Sequence, residues 1–164
     1  MDSQDFEKRL RRLEDIEEIK QIQAHYVNCL TTANYDELLK CFTDDAVIDL
    51  HAGLARGRKE FTPLFRENIG EVHRGQEGPF AVHPIISVDG DQAKGSWLLY
   101  IQYALPRKME HRPETYTTDD APDWMQGFYE MEYKRVDGQW KISFLKWRLR
   151  LCSPITHLKS DHAS

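Results

Sequence analysis

The sequence predicts an α+β domain in which three helices of the N-terminal half and a long, curved antiparallel sheet enclose a cone-shaped pocket. Two observations point there. Apolar residues in the first part of the chain recur at helical spacing of three and four, interrupted by one stretch of strand-like alternation, AVIDLHAG. Downstream, long alternating segments are joined by Asp89-Gly90 and Asp137-Gly138, dipeptides that supply the positive φ angles of a tight hairpin.

From about Asp5 to Ala33 no Gly or Pro interrupts a run of helix formers, which predicts a first helix. Its apolar positions are Phe6, Leu10, Leu13, Ile16, Ile19, Ile22, Tyr26 and Leu30. The middle of that series advances by three, less than a helical turn, so the stripe drifts and the first half faces a different surface from the second. Residues 1–12 are accordingly read as a helical extension able to pack on a partner subunit, 13–153 as the α+β domain and 154–164 as a flexible tail. YDELLKCF, residues 35–42, predicts a short second helix with Leu38, Leu39 and Phe42 inward. A half-buried strand follows, with Ile48 and Leu50 alternating against Asp49 and His51, and Gly53 and Gly57 bracket a turn or short strand. RKEFTPLFRENIGEV, 58–72, reads as a third helix, with Pro63 expected in its first turn. HRGQEGP, 73–79, reads as loop, and so does the polar, Pro-rich segment 107–122. The long strands are FAVHPIISV, QAKGSWLLYIQYALP, WMQGFYEMEYKRV and QWKISFLKWRLRL.

A sheet of such length twists and curls, and helices across its concave side leave a hollow. Period-two parity groups Trp97, Leu99, Ile101 and Tyr103 with Tyr129, Met131 and Tyr133 on one face. Leu98, Tyr100 and Phe128 fall on the opposite, convex face, which is apolar enough to predict a homodimer formed through it.

Composition narrows the function classes. A formal net charge of −5 disfavours a nucleic-acid partner. KRLRR at 8–12 is interleaved with acids, and KWRLR at 146–150 sets its cations on one strand face. No apolar run approaches the roughly 20 residues of a membrane span, and the N-terminus lacks the apolar centre of a signal peptide. Cys29, Cys41 and Cys152, odd in number and each within an apolar-periodic segment, read as reduced core thiols of a cytoplasmic protein. Asp49 and His51 lack a third ligand of matching spacing, so no metal is expected. Phosphate loops and nucleophile elbows are missing from the sequence, and no cofactor is expected.

Three segments resemble the SnoaL-like branch of the nuclear transport factor 2-like superfamily: DIEEIKQIQAHYVNCLTTANYDELLKCFTDDAVID at 15–49, IISVDGDQAKGSWLL at 85–99 and GFYEMEYKRVDGQWKI at 127–142. The resemblance implies the cone fold and, through the family's dehydratases, a pocket in which a His base and Tyr donors promote loss of water. On that resemblance Tyr26 stands at the place of a helix Tyr. Thr31 replaces an Asp that would orient the His, and Leu50 replaces a strand Tyr. The catalytic His would fall about four residues before His83, which parity turns the same way and which a bulge could bring into its place. Tyr103 stands where a second His would lie and Tyr129 where a strand Asn would lie.

The expected catalytic residues are therefore His83 to move a proton, Tyr26 to polarise an oxygen and Arg148 to balance developing charge, with Arg150 competing for the last role. Thr31, Leu50, Trp97, Ile101, Tyr103, Tyr129 and Met131 are expected to contact the substrate, a hydrophobic ring-containing or polyketide-like compound. The rival expectations are a ligand-binding or dimerisation module without chemistry, and a small subunit of a ring-hydroxylating oxygenase whose iron–sulfur cluster belongs to the partner.

Overall fold

The computed structural model describes residues 2–50, 52–70, 77–103 and 124–152. The predicted loop 107–122, the tail 154–164 and His51 lie outside them. A long helix α1, Ser3–Thr31, is capped by Asp2, whose side chain accepts from the Asp5 amide at 2.7 Å. After α2, Tyr35–Lys40, come strands β1, Phe42–Leu50, and β2, Gly53–Arg56. Helix α3 spans Arg58–Pro63 and passes directly into a π-helical turn, Leu64–Ile69. Four long strands complete the fold: β3, Glu77–Asp89; β4, Gln92–Tyr103; β5, Trp124–Val136; and β6, Gln139–Cys152.

The six strands form one sheet in the order β2-β1-β6-β5-β4-β3. All neighbours are antiparallel except β1, which lies parallel to β6. The predicted parity holds on β4 and β5: Trp97, Leu99, Ile101, Tyr129, Met131 and Tyr133 are buried on the concave face. Phe128 is 39% exposed on the convex face, where Leu98 and Tyr100 are half-buried.

The drift of the α1 stripe is also real. Asp2 to Glu14 are all exposed, whereas Ile19, Tyr26, Cys29 and Leu30 are buried across the sheet. Between these halves Asp15 anchors the helix to the β5–β6 hairpin. Its carboxylate accepts from the Arg135 guanidinium and from Trp140 Nε1 at 3.4 Å, and that guanidinium stacks 4.5 Å from the Trp140 ring centroid.

Two readings are corrected. The third helix is not one regular α-helix: Pro63 sits at its sixth residue, not in its first turn, and there the helix widens into the π turn. The segment read as loop to residue 79 is already strand from Glu77, and Pro79 is tolerated because β3 is an edge strand.

Candidate functional site

At the end of the cone where β3 begins and β4 ends, a partly open cavity of about 80 Å³ remains between α1 and the sheet. Tyr26 and Leu30 of α1 form one side, Leu50 and Ala52 of the first strand and its turn another, and Ile69 of the π turn a third. The floor is the concave face of the sheet, with Ile101 and Tyr103 of β4, Met125 and Tyr129 of β5, and Trp147 of β6. Glu77, the first residue of β3, brings the only carboxylate among the described lining residues; none of these is Lys, Arg or His.

The polar atoms are few and convergent. Tyr26 is fully buried, its ring edge-on to Tyr129 with centroids 6.1 Å apart, and Tyr129 is in turn edge-on to Trp147 at 5.7 Å. On its other sides Tyr26 meets Phe42 at 5.6 Å and Phe65 at 6.4 Å, so its ring cannot turn freely. Its hydroxyl lies near enough to that of Tyr129 for each to influence the other's ionisation, yet Tyr26 Oη completes no hydrogen bond of normal geometry among the described residues. Burial pushes the Tyr26 phenol well above the ordinary phenol range, with the neighbouring Tyr129 and the Glu77 charge adding to the effect. Burial likewise raises Tyr129, and it raises Tyr35 with a further push from Glu77. Both cavity phenols therefore hold their protons at any physiological pH and can only act as neutral donors or acceptors. Glu77 itself is 6% exposed. Tyr103 donates to Met125 Sδ at 3.8 Å on the rim.

Of the residues the sequence singled out, the structure brings Tyr26, Leu50, Ile101, Tyr103 and Tyr129 together here. His83 is not among them. β3 carries a bulge between Val82 and Ile85, so that His83 and Pro84 together face Trp97 alone. His83 adopts φ 52° within the bulge, and the extra residue flips its parity and leaves it exposed. The bulge thus does the opposite of bringing the imidazole into the catalytic place. Arg148 is exposed on the convex face, opposite Phe128, and pairs with Glu130 at 2.5 Å. Arg150 is exposed too, donating to Gln126 Oε1 at 3.5 Å. Thr31 is exposed with its hydroxyl on the Val27 carbonyl. Trp97 and Met131 are buried on the concave face outside the cavity lining. Asp49, weighed as a metal ligand, forms an ion pair with Lys146 at 2.5 Å.

Glu77 is the residue that sequence reasoning missed, because HRGQEGP reads as loop. A signal existed: Glu77 lies two residues before Pro79, the place of the expected His, and so shares its strand face. Trp147 is likewise part of the cavity wall.

Nearer the hairpin turns, the same concave face holds a second buried polar group. Trp97 Nε1 donates to Tyr133 Oη at 2.9 Å, and Tyr133 donates to Gln23 Oε1 at 3.1 Å.

Residues 11–146 match the family model of the SnoaL-like domain. The chain belongs to that family. Solved structures share its fold: a hexachlorocyclohexane dehydrochlorinase of Novosphingobium barchaimii is 18% identical with a TM-score of 0.72, over 90% of this chain and 94% of that one. A protein of Novosphingobium aromaticivorans assigned as a scytalone dehydratase is 22% identical with a TM-score of 0.69, over 86% of this chain and 87% of that one. An aromatic ring hydroxylase assignment from the same organism is 17% identical with a TM-score of 0.63, over 85% and 91%. At such identities the likeness establishes the architecture alone. As a SnoaL-like protein the chain has the cone of that family. No helix among the described residues is long and apolar enough to cross a membrane.

Proposed function

We propose that this SnoaL-like protein is a cofactor-free lyase or isomerase of the dehydratase kind, acting by proton transfer on a small apolar molecule. The observation that carries the proposal is the buried carboxylate of Glu77 in a cavity otherwise lined by phenols and apolar side chains. Glu77, rather than His83, takes a proton from a carbon next to an oxygen function. Tyr26 and Tyr129, whose own protons are held tightly, donate hydrogen bonds to that oxygen as negative charge develops on it. Leu50, Ile101 and Trp147 exclude water, which strengthens both interactions. The proton then leaves with a departing hydroxyl as water, or returns to a second carbon. Two structural neighbours carry names of elimination enzymes, a dehydrochlorinase and a dehydratase, which supports the same reading.

The test is to incubate the protein in deuterated water with cyclic ketones and β-hydroxy ketones and to follow exchange at the carbon and loss of water by NMR. Glu77→Gln is expected to slow the reaction by about 10²-fold or more while circular dichroism stays unchanged. A reaction indifferent to that substitution, or no exchange with any compound, overturns the proposal.

We further propose a homodimer through the convex face, where Phe80, Val82 and Phe128 are exposed beside Leu98 and Tyr100. A monomer by light scattering at micromolar concentration would refute it. The three free thiols suit action in the cytoplasm. The second reading, a small subunit of a ring-hydroxylating oxygenase, draws on the exposed stripe Phe6, Leu10 and Leu13 and on the ring hydroxylase neighbour. Co-purification with an iron–sulfur chain decides for it.

A further inference from the structure

Before Asp15 the inward face of α1 changes character. Lys8, Arg12 and Asp15 lie, at spacings of four and three, on the stripe that further along buries Ile19 and Tyr26, and Arg11 stands one turn before Asp15. This part of the helix thus aims cations, not apolar side chains, back at its own domain. Between them and the β3–β4 hairpin lies a groove of about 400 Å³, lined on the hairpin side by Val88, Gly90 and Asp91 and shared by Arg135 of β5.

The acids of this groove are already engaged. The Arg135 guanidinium holds Asp15 through one nitrogen and Asp91 through another at 3.2 Å, and Glu7 accepts from Ser3 Oγ at 3.1 Å. Lys8, Arg11 and Arg12, by contrast, are exposed and have no hydrogen-bond or ion-pair partner among the described residues. Lys8 precedes the two arginines by three and four residues, spacings at which like charges repel on a helix, and a bound anion would relieve that repulsion. Guanidinium groups grip phosphate-type oxygens in pairs, and three cations within two turns suit an anion of more than one charge. The volume lies in the range of small-molecule sites. A membrane surface or a nucleic acid suits it less, because Glu7 and Asp91 line the groove and Asp5, Glu14, Glu17 and Glu18 are exposed on the same stretch of helix. Val88 is the only apolar side chain among the described lining residues, which leaves an acidic peptide little to pack against.

We propose that the groove between the N-terminal part of α1 and the β3–β4 hairpin binds a compact, multiply charged phosphate-type anion through Lys8, Arg11 and Arg12. Arg135, committed to Asp15 and Asp91, shapes the groove. The site is separate from the cavity: Val88 stands eleven residues along β3 from Glu77, roughly 35 Å of extended strand. It therefore stands or falls independently of the reading of the cavity.

Inorganic diphosphate and inorganic phosphate are titrated into the full chain at low ionic strength, with affinity read by calorimetry and the site by amide chemical shifts. Diphosphate is expected to bind with a Kd between about 10 μM and 1 mM, at least about tenfold more tightly than phosphate, and to shift the amides of residues 8–12 and 88–91. Raising the salt from about 20 to 200 mM should weaken it at least about tenfold. Arg11→Gln and Arg12→Gln replace exposed side chains without partners, so the fold is kept; each should weaken diphosphate at least about fivefold. Lys20→Gln, outside the groove and paired with Glu17 in the natural protein, should leave the affinity unchanged. No binding of diphosphate at about 10 mM, or binding that the arginine variants leave intact, overturns the site. A loss in Lys20→Gln equal to theirs overturns it as well, for the general field of the helix would then explain the binding. Sedimentation of the protein with phosphatidylserine vesicles at the same ionic strength, or tighter binding of triglutamate than of diphosphate, overturns the assignment to a compact phosphate-type anion.

Discussion

The concave face carries two buried tyrosine clusters, and they are built differently. Near the hairpins, Tyr133 is hydrogen-bonded on both sides, accepting from Trp97 and donating to Gln23. At the mouth, Tyr26 is as deeply buried, yet its hydroxyl completes no such bond among the described residues. Burial raises both phenols above their ordinary range, so neither is there to ionise. A buried polar group satisfied internally specifies the fold, whereas one left open at the edge of a cavity offers the donor that the proposed function uses. Each cluster also rests on a glycine. At Gly95 an added Cβ would lie 3.1 Å from the Tyr133 ring and 3.2 Å from Trp97 Nε1. At Gly127 it would lie 2.0 Å from the Arg148 carbonyl oxygen and 2.8 Å from the Trp147 ring.

The largest effect should come from that second seat. In Gly127→Ala the obstacle is backbone of the neighbouring strand, which cannot swing aside as a side chain can. Loss of about 3 kcal/mol or more in a denaturant titration is expected, together with a displaced Trp147 whose fluorescence shifts. A change under about 1 kcal/mol would mean that Gly127 does not lie against the Arg148 backbone.

Next comes Tyr133→Phe, which strands the indole N–H of Trp97 and the Gln23 carbonyl in the interior. About 1–3 kcal/mol of destabilisation is expected, with ligand binding at the mouth untouched. Equal loss of stability in Tyr133→Phe and Tyr26→Phe would erase the distinction between the two clusters.

How much of this contrast was legible in the chain depends on whether a strand keeps its period. β4 and β5 do over the residues that matter, so the inward set from Trp97 to Tyr133 followed from alternation alone. β3 does not: the single extra residue at His83 reverses every face beyond it, and nothing in FAVHPIISV announces a bulge except the proline beside it. The cone was thus readable because it is set by many residues acting together, whereas the placement of His83 hung on one register shift. Glu77 was hidden by the opposite error. Gly78 and Pro79 carry the composition of a loop, but an edge strand tolerates both because one side of its ladder has no partner. Arg148 was misplaced through its residue type; as the neighbour of inward Trp147 it had to face outward.

The smallest effect on stability should come from Tyr26→Phe, and that smallness is what makes the variant informative. Removing a hydroxyl that completes no internal bond should change stability near neutral pH by no more than about 0.5 kcal/mol. In alkali the variant should do better than the natural protein. A phenol whose folded-state pKa is raised contributes stability that is complete below the unfolded value near 10 and is lost as pH rises from there towards the folded value. Each such group steepens the alkaline decline by about 1.4 kcal/mol per pH unit, so deleting Tyr26 should make the slope between pH 10 and 11 shallower by about that amount. Turnover, or binding of a neutral oxygen-bearing probe, should nevertheless fall about tenfold, because the lost hydroxyl is the one proposed to donate to the ligand. A variant that is unchanged in stability and unchanged in binding would place Tyr26 with the packing residues and leave Tyr129 and Glu77 to carry the site alone.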